Sequence, residues 1–267
     1  MLEVQGLSKT YGSGATATRA IDHIEFDVSE SEFVSVVGPS GCGKTTLLKC
    51  MAGLLEPTSG RTMLLGHQVT RSPPEMAVVF QDYSRSLFPW LTVRRNVALP
   101  LRRKPEIADR ERLVAETLAA VGLAGFEEHY PWQLSGGMQQ RVAIARALAY
   151  QPKVLLMDEP FASVDAQTRG ELEDLVLSVR RRFGVTCVLV THDIDEAVYM
   201  SDRVVVLTSP PSRVLETVAI DLPRPRNQVT TREHPSFGHL RGHVYQLIKG
   251  RAGRSPAPGP EEEFATT

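Results

Sequence analysis

Cysteine is scarce: Cys42, Cys50 and Cys187 are the three in 267 residues. They are odd in number, far apart and without C-x-x-C spacing, which excludes a disulfide framework and a structural zinc site of the usual pattern. Charge of one sign is lacking too, since 30 Lys and Arg face 31 Asp and Glu. No overall field then draws the chain to nucleic acid or to an anionic surface, and no nucleic-acid partner is expected. Nowhere does an apolar run reach the roughly 18 residues that mark a membrane-spanning helix. The first residues, Met1 to Leu7, carry the acid Glu3 and no signal-like apolar stretch. These absences predict a cytosolic chain that meets a membrane only through a partner.

What is present is 42% hydrophobic residues, enough for a large core. Short runs at Phe33 to Val37, Ala77 to Phe80, Val154 to Met157, Val185 to Val190 and Val204 to Leu207 are mostly apolar on both faces, as buried strands of a covered sheet are. Helical patterns at Thr45 to Leu54, Thr168 to Phe183 and Ile194 to Met200 alternate with them, which predicts an α/β fold with a mostly parallel sheet. Segments near Leu2 to Val4, Ile24 to Val28, Arg61 to Leu65 and Arg213 to Val218 alternate polar and apolar, and predict an antiparallel sheet beside it. From about Ser84 to Gln151 the composition shifts to helix formers, with a helix expected over Pro105 to Val121. The expected organisation is a main domain over 1–225 with a helical subdomain inserted at about 84–151, a helical extension over 226–254 and a disordered tail over 255–267. Helices packed directly on the same sheet are the alternative to an inserted subdomain.

The chemistry begins at Gly38-Pro39-Ser40-Gly41-Cys42-Gly43-Lys44-Thr45-Thr46, which matches G-x-x-x-x-G-K-[ST] between a strand and a helix. Glycines let backbone N–H groups converge on phosphate oxygens, and the helix start adds its positive end. Lys44 is expected at the β- and γ-phosphates, Thr45 on Mg2+ and Thr46 near the α-phosphate. The run Val154 to Met157 ends in Asp158-Glu159, at the sheet edge where ligands of open α/β sheets bind. Asp158 suits Mg2+, largely through water, and Glu159 suits an attacking water as general base or orienting group. The expected reaction is ATP hydrolysis with ATP and Mg2+ as the bound species.

A second anion site is legible at Leu134-Ser135-Gly136-Gly137-Met138-Gln139-Gln140-Arg141, where Ser135 can cap a helix that exposes N–H groups. Here the chain resembles the nucleotide-binding subunit of an ATP-binding-cassette (ABC) transporter, whose signature is Leu-Ser-Gly-Gly-Gln before a helix; Met138 replaces the last Gln and Gln139 follows. The resemblance covers roughly Met1 to Pro225. It implies a P-loop NTPase core with an antiparallel β subdomain and an inserted helical subdomain. It also implies a head-to-tail dimer, in which the phosphate loop of one copy and Leu134 to Gln139 of the other sandwich each ATP. By the same resemblance Tyr11 stacks on adenine, Gln81 reaches Mg2+ and the attacking water, His192 contacts the γ-phosphate, and Asp165 lies on the dimer seam. His239 and His243, four apart on an expected helix, read poorly as a metal pair for want of a third ligand.

Within that superfamily, Phe80-Gln81-Asp82, Leu87 to Val93, Asn96-Val97, Ser209 to Val214 and Asp221 to Arg226 are similar to importers of nitrate, sulfonate and taurine. The implied partners are a second copy of the chain, membrane-spanning permease subunits and, indirectly, a solute-binding protein, with the chain peripheral on the cytoplasmic face of the inner membrane. An apolar groove lined by Phe88, Pro89, Trp90 and Leu91 is expected to receive a short permease helix. The competing readings are a soluble repair or translation ATPase of the same superfamily, which would carry a long coiled-coil insertion or two cassettes, and a small-molecule kinase, which would leave Leu134 to Arg141 unexplained.

Overall fold

The computed structural model describes residues 1–82 and 86–252. The tail expected over 255–267 and the residue at which the helical insertion was expected to begin lie outside them. The strands are β1 (Leu2–Tyr11), β2 (Thr18–Val28), β3 (Phe33–Val37), β4 (Ser59–Leu64), β5 (His67–Gln68), β6 (Met76–Val79), β7 (Val154–Asp158), β8 (Thr186–Val190), β9 (Arg203–Leu207) and β10 (Ser212–Ala219). They form one sheet in the order β5-β4-β1-β2-β10-β9-β3-β8-β7-β6. From β9 to β6 every neighbouring pair is parallel, whereas β1, β2, β4 and β5 pair antiparallel. The two expected sheets are thus one: β10 runs antiparallel to β9 and parallel to β2, and joins them.

Alternation within the parallel strands explains why both faces read as apolar. Phe33, Val37, Leu155, Met157, Cys187, Leu189, Val204 and Val206 enter one buried cluster; Val34, Val36, Val154, Leu156, Val188, Val190, Val205 and Leu207 enter the other. Each successive side chain points to the opposite face, so a strand covered on both sides must be apolar throughout.

The helices are α1 (Lys44–Met51), α2 (Val93–Ala98), α3 (Arg110–Ala120), α4 (Gly136–Ala149), α5 (Ala166–Phe183), α6 (Ile194–Met200), α7 (Thr230–Glu233) and α8 (Pro235–Ala252). α2, α3 and α4 pack on one another, and α4 also packs on β6. Their buried residues, such as Val97, Leu118 and Ile144, belong to the same cluster as Phe33 and Leu155 on the sheet. α3 starts five residues after Pro105, because the Asp109 side chain caps it by accepting the Arg112 N–H at 2.9 Å. At the other end of the chain α8 lies on α6, with Phe237 and Val244 buried in the same core.

Candidate functional site

The loop after β3 turns into α1 at Gly43, whose φ of 92° lies in the left-handed region that glycine adopts without strain. Ser40, Gly41, Gly43, Lys44, Thr45 and Thr46 line a cavity of about 510 Å³ together with Glu159 and His192. Lys44 is 6% exposed, and its ammonium donates to the carbonyls of Gly38 (3.0 Å) and Pro39 (3.1 Å). The loop thereby curls around its own lysine and keeps a buried charge hydrogen-bonded. Cys42 lies within the loop without lining the cavity. Its N–H donates to the Pro39 carbonyl at 3.2 Å, and its thiol is buried outside the cavity lining. Burial pushes that thiol above its ordinary pKa, which lowers its reactivity.

Two strands deliver the acids and the histidine. β7 is separated from β3 by β8, yet Thr45 Oγ1 donates to Asp158 Oδ1 at 3.1 Å across that gap. Asp158 is 5% exposed; burial raises its carboxyl pKa, Glu159 adds to the rise, and the Thr45 hydrogen bond opposes it. Glu159 has a φ of 44°, unusual for a side chain larger than Asn. That turn is held by its N–H donating to the Val190 carbonyl at 2.8 Å, which ties the end of β7 to the end of β8. It sets the carboxylate against His192, whose Nδ1 lies 3.0 Å from Glu159 Oε2. Tyr11, from β1, is exposed and lies at the same rim, its hydroxyl 3.1 Å from Thr46 Oγ1.

Other expected residues stand apart. Gln81 is exposed two residues beyond β6 and does not line the cavity. Leu134 to Gln139 do not line it either: Ser135 caps α4 by accepting the Met138 N–H at 3.3 Å, and Gln139 donates to the carbonyls of Pro131 and Leu134. Gly137 has an intramolecular reason as well, because a Cβ there would come within 2.5 Å of Thr168 on α5. Asp165 caps α5, accepting the Thr168 N–H (3.0 Å) and hydroxyl (2.7 Å), which lower its carboxyl pKa. His243 finds Glu216 at 2.7 Å, and no metal-binding cluster of three or more ligands occurs among the described residues.

The groove also differs from expectation. A cavity of about 620 Å³ opens between β6, α4 and the segment after α2, and Phe88 alone of the four expected residues lines it, with Met76, Leu99, Pro100, Arg102, Arg103, Arg146 and Tyr150. Trp90 lies outside, 69% exposed, with its ring centre 5.3 Å from that of Phe88. Two residues build this wall: Asn96, which the sequence marked with Val97 only through its likeness to the importers, and Arg146, which it did not mark. Buried Asn96 donates to the carbonyls of Phe88, Leu91 and Thr92, and Arg146 donates to the carbonyl and hydroxyl of Ser86. No periodic signal in the sequence reports that Asn96 reaches back to Phe88 or that Arg146 reaches Ser86.

A parallel sheet ending in an anion-cradling loop, with a carboxylate in hydrogen-bond reach of the loop's threonine, defines a P-loop nucleotide-binding protein. Residues 21–162 match the family model described as ABC transporter, and the chain belongs to that family. It is similar to the nitrate import ATP-binding protein NrtC of Synechocystis sp., 45% identical over 92% of this chain but only 37% of NrtC's length. It is also similar to the nitrate transport protein NasD of Klebsiella oxytoca, 40% identical over 93% of this chain and 96% of NasD. Among solved structures, a dimeric ATP-binding cassette in a post-hydrolysis state bound to ADP and Pi superposes with a TM-score of 0.72, at 34% identity over 82% of this chain and 99% of that one.

Proposed function

We propose that this chain is the ATP-hydrolysing subunit of an importer for nitrate or a similar small anion. The observation that carries the reading is the cavity where the phosphate loop, Asp158, Glu159 and His192 meet. Ser40 to Thr46 hold the triphosphate, with Lys44 exchanging the carbonyls of Gly38 and Pro39 for phosphate oxygens, and Tyr11 packs on the base. Thr45 Oγ1 and Asp158 Oδ1 are two hard oxygen donors on one spot, and a cation there would relieve the burial that raises Asp158; the pair fits Mg2+. Bound there, the ion neutralises phosphate charge as it develops.

Glu159 orients and deprotonates the attacking water, and His192, hydrogen-bonded to it, fixes the carboxylate and faces the γ-phosphate. Gln81, two residues beyond β6, reaches the metal and the attacking water once nucleotide is bound. Because Leu134 to Gln139 lie outside the cavity, their exposed helix start serves a second copy, head to tail, with Asp165 on the seam. The solved dimeric cassette supports that arrangement. The groove beside Phe88 is the docking place for a permease helix, which would hold the chain at the cytoplasmic face of the membrane; a solute-binding protein supplies the anion from the other side. The domain division into 1–225, with an inserted helical part, and a C-terminal extension belongs to the same reading.

The test is reconstitution of the chain with its permease in vesicles. ATP-dependent uptake of labelled nitrate, driven by a nitrate-binding protein, is expected; ATP turnover with no uptake of nitrate, sulfonate or taurine would overturn the solute class.

A further inference from the structure

Residues 226–232 strap together the two helices that lead away from the site. Arg226 Nη1 donates to the carbonyls of Val198 (3.3 Å) and Tyr199 (2.5 Å) in the last turn of α6. Gln228 Nε2 donates to the Gly170 carbonyl (3.0 Å) and to Glu173 Oε2 (2.9 Å) on α5. Arg232 pairs with the same Glu173 oxygen at 2.9 Å, and its guanidinium lies 5.0 Å from the ring centre of Tyr199 on α6. Glu173 is 1% exposed, so a charge on it requires these partners.

The start of α6 adjoins the chemistry, and the first turns of α5 reach that start. α5 starts at its cap Asp165, and α6 starts at its cap Asp193, the residue after His192. Arg169, in the first turns of α5, bridges the two: its Nη1 lies 3.1 Å from Asp193 Oδ2. The other oxygen of Asp193 accepts the N–H groups of Asp195 (2.9 Å) and Glu196 (3.1 Å) and so fixes the turn that presents His192 to Glu159.

Glu173 stands four residues after Arg169 on α5, the spacing at which an arginine and a glutamate meet on a helix. Arg169 also has a buried Nε without a hydrogen-bond partner, so it has a donor to spare. With Arg232 and Gln228 occupying Glu173, Arg169 is left to Asp193.

We infer that Arg232 is a positioning residue for His192: by engaging Glu173 it keeps Arg169 on Asp193, and thereby keeps His192 against Glu159. The inference rests on the ATPase reading above. It gives the C-terminal segment, which lies beyond the residues matched by the family model, a part in turnover. ATP binding is left to the phosphate loop on α1, which the strap does not touch.

The experiment is steady-state ATP hydrolysis by the full chain reconstituted with its permease. Arg232→Ala is expected to lower kcat by about tenfold with KM for ATP within about twofold, less than the roughly hundredfold that a 1 Å misplacement can cost. Adding Glu173→Gln to that variant removes the competing carboxylate and should return kcat to near the parent value; Arg232→Lys should retain most of it. Parent-like kcat in a folded Arg232→Ala, or no recovery on adding Glu173→Gln, would overturn the inference. If Arg232→Ala does not fold, Arg169→Met breaks the bridge directly and must show the same kcat-selective loss, and an unchanged kcat there rejects the idea. A parent chain that hydrolyses no ATP removes the ATPase reading itself, a failure distinct from variants that equal the parent.

Discussion

Glu159 occupies a left-handed backbone position that costs a non-glycine residue on the order of 1 kcal/mol. A side chain kept at such a place, beside His192 and at the mouth of an anion cavity, has a use that outweighs its strain. Glu159→Gln keeps shape and hydrogen bonding but cannot take a proton. It is expected to lower phosphate release by at least about a hundredfold, within the range of lost general-base catalysis, while equilibrium nucleotide binding stays unchanged. A second carboxyl gives a test by pH. Glu196 is buried, and that burial raises its pKa to about 8, helped by Glu173 and Asp193 and opposed by Thr191 and Arg169. Its folded pKa lies above the unfolded 4.5, so the native state binds the extra proton between these values and stability falls as pH rises from about 4.5 to about 8. Glu196→Gln should therefore raise the melting temperature more at pH 8.5 than at pH 5.5, and a difference that stays flat across that range would refute the assignment.

Elements were legible where burial is symmetrical or where chemistry concentrates glycine. β3 and α6 run over the residues expected, because Phe33 to Val37 are apolar on both faces and Ile194 to Met200 follow a capping Asp. The turn from β3 into α1 and the acids at the end of β7 stand where the motifs placed them, because each follows from neighbours in sequence; that Thr45 meets Asp158 does not. The groove was not, since its walls come from β6, α4 and the turn after α2, and no spacing in the chain reports which side chains meet there. Trp90 was expected in it from its place shortly after Gln81 and the likeness to importers; it lies outside, in the Phe88 to Thr92 turn that the three carbonyl bonds of Asn96 hold, while Phe88 lines the cavity. Asn96→Ala leaves those carbonyls short of a buried donor and should cost about 1–3 kcal/mol in chemical denaturation. It should weaken permease binding more than ATP turnover by the isolated chain, as the phosphate cavity shares no residue with that turn.

For the molecule as a whole, none of its described helices is long and apolar enough to cross a membrane, and half of the expected nucleotide site lies outside the cavity that the other half lines. Ser135 and the start of α4 do not line the phosphate cavity, so an active site assembled within one chain and one assembled between two copies predict opposite results when defective chains are mixed. Lys44→Ala damages the phosphate loop, and Ser135→Arg blocks the helix start that would meet it. Each variant alone should be inactive, since both sites of its dimer carry a lesion. In a head-to-tail mixed pair the lesions fall in one and the same site, and the other site joins an intact loop to an intact helix start. Random pairing makes half of the dimers mixed, with one of two sites working, so an equimolar mixture should recover about a quarter of parental ATPase activity if the sites fire independently. A site complete within one chain gives no recovery at any ratio, because every chain in the mixture is defective. Recovery that rises with total protein concentration would also show that the pair is formed by association in solution.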